Sequence, residues 1–185
     1  YAAIIEGVGV INLDQTGLSQ KGGAVLSSVV LTNSPAQLGA SSKVGAGNAD
    51  LMLILDMLGG VTKVNLDRSS PDCTVAVVDT TETPTGEMVR HVDILHPETG
   101  ELQGAVDRYS RASSNVYVNG GDLAERLFGD HMATNLFMLG VAYQSGLVPL
   151  KAQAVEQAIA LNGVAVEQNR QAFRYGRLQR HDPAR

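Results

Sequence analysis

The sequence predicts an α/β domain: a mixed sheet flanked by helices, followed by a helical C-terminal part. Two observations carry this prediction. Valine-rich apolar runs of strand length recur at residues 8–13, 24–32, 49–56, 74–79 and 114–119, and β-branched side chains suit the pleated, half-buried surface of a sheet. From residue 130 onward the apolar positions are spaced for helices instead. Strands interleaved with mixed segments, then helices, is the order of an α/β fold. The first two runs lie too close together for a helical crossover, so they pair antiparallel or bend through a long loop.

Residues 1–7 (YAAIIEG) read as the last turns of a helix closed by a glycine C-cap. Residues 8–13 (VGVINL) and 24–32 (AVLSSVVLT) are the first two strands, joined by a polar linker rich in glycine. Residues 33–42, with Pro35 and Gly39, form an exposed connection. A short turn at 43–48 leads into a buried strand within 49–56, where Asp50 and Asp56 read as a cap and a strand end before catalytic acids. Residues 57–65 are ambiguous, because Gly59 and Gly60 weaken a helix.

Residues 74–79 (TVAVVD) form a compact buried strand, with Cys73 at its start as a small core residue. His91 and His96 fall in an irregular segment with Asp93, Glu98 and Glu101, whose spacing is not that of a metal site. Residues 114–119 (SNVYVN) are the last strand. Gly120-Gly121-Asp122 then starts a helix over 123–127, with Asp122 as its N-cap. Residues 131–145 are apolar on most sides, as in a helix buried between others or against a partner. Gly146 ends that helix, Pro149 opens the next at 150–161, and Asn162-Gly163 interrupts it. An amphipathic helix over 164–175 follows, running out into Arg174, Arg177 and Arg180, which suit the negative end of a helix dipole better than they argue for phosphate binding.

At 185 residues, 44% hydrophobic and 18% charged, the chain has the make-up of one globular domain with a sizeable core. A net charge of −5 argues against nucleic acid or an anionic membrane as partner. The lone Cys73 excludes an internal disulfide, and equally an iron–sulfur cluster or Cys-rich zinc site held by this chain alone. It fits a reduced, cytoplasmic compartment. No apolar run reaches the roughly 20 residues of a membrane span. The chain starts without Met and stops in a polar tail, which reads as a piece of a longer polypeptide.

Catalytic signatures are missing: there is no G-x-S-x-G elbow, no H-E-x-x-H and no P-loop, and the histidines are scattered. The best-marked candidate site is the linker Thr16-Gly17-Leu18-Ser19-Gln20-Lys21-Gly22-Gly23. Its glycines let a ligand approach the main chain. Lys21 adds a point charge beside exposed backbone N–H groups, which is how loops hold anions. An ordinary tight connection between strands is the competing reading. If the loop does bind, it suits a phosphorylated or acidic ligand in a binding domain.

The same stretch, continued through Ala24-Val25-Leu26-Ser27, resembles the glycine loop of the gamma domain of 2-oxoacid:ferredoxin oxidoreductases, and most of all that of the large fused indolepyruvate ferredoxin oxidoreductases. The resemblance continues in order through Ala49-Asp50-Leu51-Met52-Leu53, Gly129-Asp130-His131-Met132-Ala133-Thr134-Asn135-Leu136-Phe137, Gly146-Leu147-Val148-Pro149-Leu150, Leu161-Asn162-Gly163-Val164-Ala165-Val166-Glu167 and Ala172-Phe173-Arg174-Tyr175-Gly176-Arg177. It implies a Rossmann-like fold, with residues 1–185 as a single gamma-type domain. The enzyme it implies oxidatively decarboxylates 2-oxoacids, aryl pyruvates in particular, to acyl-CoA. Thiamine diphosphate and 4Fe–4S clusters would sit on partner domains or subunits, ferredoxin would accept the electrons, and a homo-oligomer is expected. This domain would pack against the thiamine domains and contribute to coenzyme A binding through Thr16, Gly17, Gln20, Lys21, Gly22 and Gly23. No catalytic residue is assigned.

The chain departs from that pattern twice. The family domain opens with a strand and a glycine-rich turn ahead of the helix that ends at residue 7, and this first strand is absent here. Ser27-Ser28-Val29-Val30 stands where Ser-His-Val-Arg is expected, so nothing carries over from that His and Arg to Ser28 and Val30. Two alternatives follow: a non-catalytic binding or scaffold module with the same fold, or an unrelated nucleotide-binding α/β domain. The second calls for a glycine-rich turn directly after a first strand, which the chain lacks.

Overall fold

The computed structural model describes residues 1–16, 25–34, 42–91 and 93–184. It divides into two compact units, one of Tyr1–Leu13, Ser28–Val44 and Gly120–Arg185, the other of Asp14–Ser27 and Gly45–Asn119. Strands β1 (Gly9–Thr16) and β2 (Val25–Thr32) pair in a two-stranded sheet. Along β2 exposure alternates, with Val25, Ser27 and Val29 outward and Ser28 buried, the period-two signature of a strand covered on one face.

The second unit is built on a parallel sheet in the order β3 (Leu51–Ile54), β4 (Val75–Asp79), β5 (Val116–Val118). Leu51 stands opposite Val75, and Val77 opposite Val116. Every residue of β4 is buried, as a central parallel strand covered on both faces must be, which is why its run is apolar without alternation. Ala76 and Val78 pack in one cluster with Ile54, Met57, Leu102 and Val106.

The ambiguous stretch after β3 resolves into two single-turn helices, α2 (Met57–Gly60) and α3 (Lys63–Leu66). Asp56 caps α2, its Oδ1 accepting from the Leu58 N–H at 3.2 Å. The segment around His91 and His96 is more regular than its sequence suggests. It holds α4 (Gly86–Arg90) and α5 (Thr99–Arg108), and α5 buries only Leu102 and Val106, one turn apart, a stripe too narrow to read from periodicity. A 3-10 turn at Ala112–Ser114 leads into β5.

In the other unit, α1 (Ala2–Ile5) ends where expected, with Gly7 at φ +71°. Its Ala2 joins a cluster around Val155, Ile159 and Phe173, and Glu6 accepts a hydrogen bond from the Lys151 N–H. The remaining helices are α6 (Gly120–Phe128), α7 (Thr134–Gln144), α8 (Ala152–Asn162) and α9 (Val166–His181). Three boundaries correct the sequence reading. α6 starts at Gly120, so Asp122 lies inside its first turn and acts through the helix dipole, not as the cap. α8 starts at Ala152, beyond Pro149. α9 runs on to His181, which places Arg174 in its interior and leaves Arg180 and His181 in the last turn.

Helix α7 buries Phe137, Met138, Val141 and Ala142, as its all-round apolar sequence requires. It crosses α9 at glycines on both sides: a Cβ at Gly140 would run into the Phe173 carbonyl, and one at Gly176 into the Phe137 carbonyl. Among the described residues no helix is long and apolar enough to cross a membrane.

Candidate functional site

In open α/β sheets, ligands bind outside the carboxyl ends of the parallel strands. Here those ends present Asp56 after β3, Asp79 closing β4 and Asn119 after β5. Asp79 is only 3% exposed, and its Oδ1 accepts from the Thr81 N–H at 3.0 Å and from the Thr81 hydroxyl at 2.6 Å. The same hydroxyl lies 2.7 Å from the side-chain amide of Asn119. A hydroxyl carries a single proton, so Thr81 donates to one of two acceptors at a time, Asp79 Oδ1 or Asn119 Oδ1. These contacts, with the Thr80 N–H bonded to the Val118 carbonyl at 2.9 Å, tie the ends of β4 and β5 together. The arrangement orients polar groups where a ligand would enter.

Of the residues picked out from sequence, Thr16 is the last residue of β1. Gly17, Gln20, Lys21, Gly22 and Gly23 lie outside the described residues. Ser28, standing where a His is expected, is 4% exposed, and Val30 is half-buried on the same side of β2. In the sequence Asp79 closes a strand, and nothing local singles out Thr81 or Asn119. The available signal was their place just past apolar parallel strands.

The other candidates take structural roles. The Cys73 Sγ lies 3.5 Å from the Gly47 carbonyl and 3.6 Å from that of Ala49, half-buried in a turn. Among the described residues no group of three His, Cys, Asp or Glu could hold a metal ion. Arg174 grips Glu156 of α8 with both edges of its fork, Nη2 to Oε2 at 2.6 Å and Nε to Oε1 at 3.0 Å. That hydrogen-bonded guanidinium holds the Glu156 carboxyl below its ordinary range. The Arg177 guanidinium lies 5.0 Å from the Tyr143 ring centre and 5.8 Å from that of Phe173.

The model of the pyruvate ferredoxin/flavodoxin oxidoreductase family matches residues 1–179. The chain belongs to this family. Two solved structures share the fold of this oxidoreductase-family chain. The gamma subunit of a keto/oxoacid ferredoxin oxidoreductase from Geobacter sulfurreducens has a TM-score of 0.60 at 20% identity, over 97% of this chain and 85% of that one. The pyruvate oxidoreductase subunit PORC from Thermotoga maritima has a TM-score of 0.60 at 18% identity, over 95% and 82%. At such identities the likeness is one of fold. No curated protein matches the chain significantly.

Proposed function

We propose that the chain is a gamma-type component of a thiamine-dependent 2-oxoacid ferredoxin oxidoreductase. Its substrate class is aryl pyruvate, such as indolepyruvate, decarboxylated oxidatively to acyl-CoA. The observation that carries this reading is the family match through residues 1–179, and the fold shared with a gamma subunit supports it. The chain's share of the work is an interface with the thiamine-binding part and a contribution to coenzyme A binding. Lys21 and the backbone N–H groups of Gly22 and Gly23 would meet the ligand's phosphates, a cation and dipoles facing anions. With Cys73 as its only cysteine, the chain cannot ligate an iron–sulfur cluster, so that chemistry belongs to partner domains.

The test is indolepyruvate-dependent viologen reduction by the intact enzyme, supplied with thiamine diphosphate and coenzyme A. Lys21→Ala should raise the KM for coenzyme A roughly tenfold, the usual scale for losing one charge-assisted contact. Its melting temperature should stay at the parent value, because a linker lysine contributes little to a core. An unchanged KM sinks the role of the loop. A folded, cofactor-loaded enzyme with no activity on any aryl pyruvate sinks the substrate class.

One observation favours a second reading, a non-catalytic module of the same fold. Ser28 and Val30 stand where the resemblance leads one to expect His and Arg, and the buried Ser28 offers only a short hydroxyl there. Activity that survives deletion of this domain would support that reading.

A further inference from the structure

Helix α9 carries a cluster of positive charge. Arg170, Arg174, Arg177 and His181 recur on one face at helical spacing, and Arg180 flanks them. Each arginine is anchored through its Nε: Arg170 to the Glu156 carbonyl at 3.4 Å, Arg174 to the Glu156 carboxylate at 3.0 Å, Arg177 to the Gln144 amide oxygen at 3.2 Å and Arg180 to the Ser145 hydroxyl at 2.9 Å. The hydrogen-bond partners of Arg177 and Arg180 are neutral, and Arg177 also lies over the Tyr143 and Phe173 rings. Neither guanidinium is ion-paired among the described residues, and their Nη groups donate no hydrogen bond there.

Anchoring by Nε restricts a guanidinium before any partner arrives. The side-chain entropy of binding is then largely lost in advance. Two shallow grooves of about 300 Å³ each run along this face and share Arg174 and Leu178. They lie open to solvent, whereas a small-molecule site encloses most of its ligand. An open groove in which Leu178 and Tyr175 lie among anchored cations fits a length of polypeptide that carries carboxylates. The positive charge is local, since the whole chain is at −5.

We propose that this face of α9 docks an acidic segment of a partner chain of the same enzyme. Its carboxylates would be received by Arg177 and Arg180 and an apolar side chain by Leu178. The proposal rests on the reading of the chain as one component of a larger oxidoreductase, but not on the identity of the 2-oxoacid.

The test titrates the full chain with a short fluorescein-labelled Glu/Leu peptide and follows anisotropy. The double variant Arg177→Gln/Arg180→Gln should raise Kd at least about fivefold, and about 0.5 M salt should abolish binding by the parent. Arg90→Gln, in the other unit, should leave Kd unchanged. Arg177→Lys/Arg180→Lys, which keeps the charge but not the Nε anchor, should recover part of the affinity. If the double variant melts early, Arg180→Gln alone gives the readout, since that residue is exposed. In the assembled enzyme the double variant should release its partner at a salt concentration where the parent holds it.

Equal Kd for parent and double variant overturns the proposal. So does inorganic pyrophosphate competing at these arginines more tightly than the peptide, which would make the face an anion site. A salt-sensitive dimer of the chain, abolished by the double variant, would reassign the face to the acidic 82–101 segment of a second copy. Because no 2-oxoacid enters the titration, peptide binding by a chain whose enzyme ignores aryl pyruvates counts against the substrate class alone.

Discussion

Asn115 joins three elements of the sheet unit. Its amide nitrogen donates to Asp107 Oδ1 at 2.7 Å and to the Ser110 hydroxyl at 2.8 Å, while its oxygen accepts from the Ala76 N–H at 2.8 Å. Ala76 is wholly buried, so Asn115→Ala strands a donor that water cannot reach. The expected loss is about 2–3 kcal/mol of stability, read from a shifted denaturant midpoint at constant slope. Tyr117 donates to the same Asp107 oxygen at 2.7 Å. Burial first, and then the bond to Asp107, lift its phenol well above the ordinary 10.0. A folded value raised above the unfolded one means that this contribution is complete below pH 10 and fades as pH climbs past it. Stability of Tyr117→Phe should therefore decline less between about pH 10 and 12 than that of the parent, as pH-dependent denaturation can check. Ala165 precedes α9 at φ 42°, the left-handed region that Cβ disfavours. Ala165→Gly should leave the melting temperature unchanged or raise it, the relief of up to about 1 kcal/mol being partly offset by glycine's freer unfolded state.

Helices α7 and α9 depend on the absence of two side chains. Gly140 and Gly176 bring the backbones so close that any Cβ meets a carbonyl of the other helix, and a carbonyl in a helix cannot move aside as a rotamer can. Gly140→Ala or Gly176→Ala should each cost about 3 kcal/mol or more, despite alanine's better helix propensity. Thermal melts followed by circular dichroism would show it, and a neutral outcome would mean the crossing is looser than described. Helices α8 and α9 are clasped by Arg174 and Glu156, whose carboxyl sits below its ordinary 4.5. A depressed carboxylate stabilises above its unfolded value and stops doing so as pH falls through the folded one. The parent should therefore lose more stability than Glu156→Gln between about pH 5 and 3, by a small margin because the pair is solvent-exposed. Elements of this kind were unequally legible. The apolar sequence of α7 announced a buried helix from every side, whereas α5, with only Leu102 and Val106 buried, left almost no periodic trace.

For the molecule as a whole, the proposed function makes the chain a component that depends on others. The chain by itself should reduce viologen no faster than a blank, and activity should appear only with the thiamine and cluster domains present. Composition, strand-length valine runs and helical spacing were enough to determine the α/β class, the five strands near their observed places and the C-terminal helices. Those properties follow from local burial and turn chemistry, which are written residue by residue. The tertiary structure alone decided that Asp79, Thr81 and Asn119 meet at the ends of β4 and β5, because their contact spans 38 residues and follows from strand register. It alone decided that Gly140 and Gly176 mark a helix crossing, since a missing side chain shows its purpose only against the backbone that occupies its place. And it alone decided that the arginines of α9 are held through Nε, a matter of which neighbours α7 and α8 present.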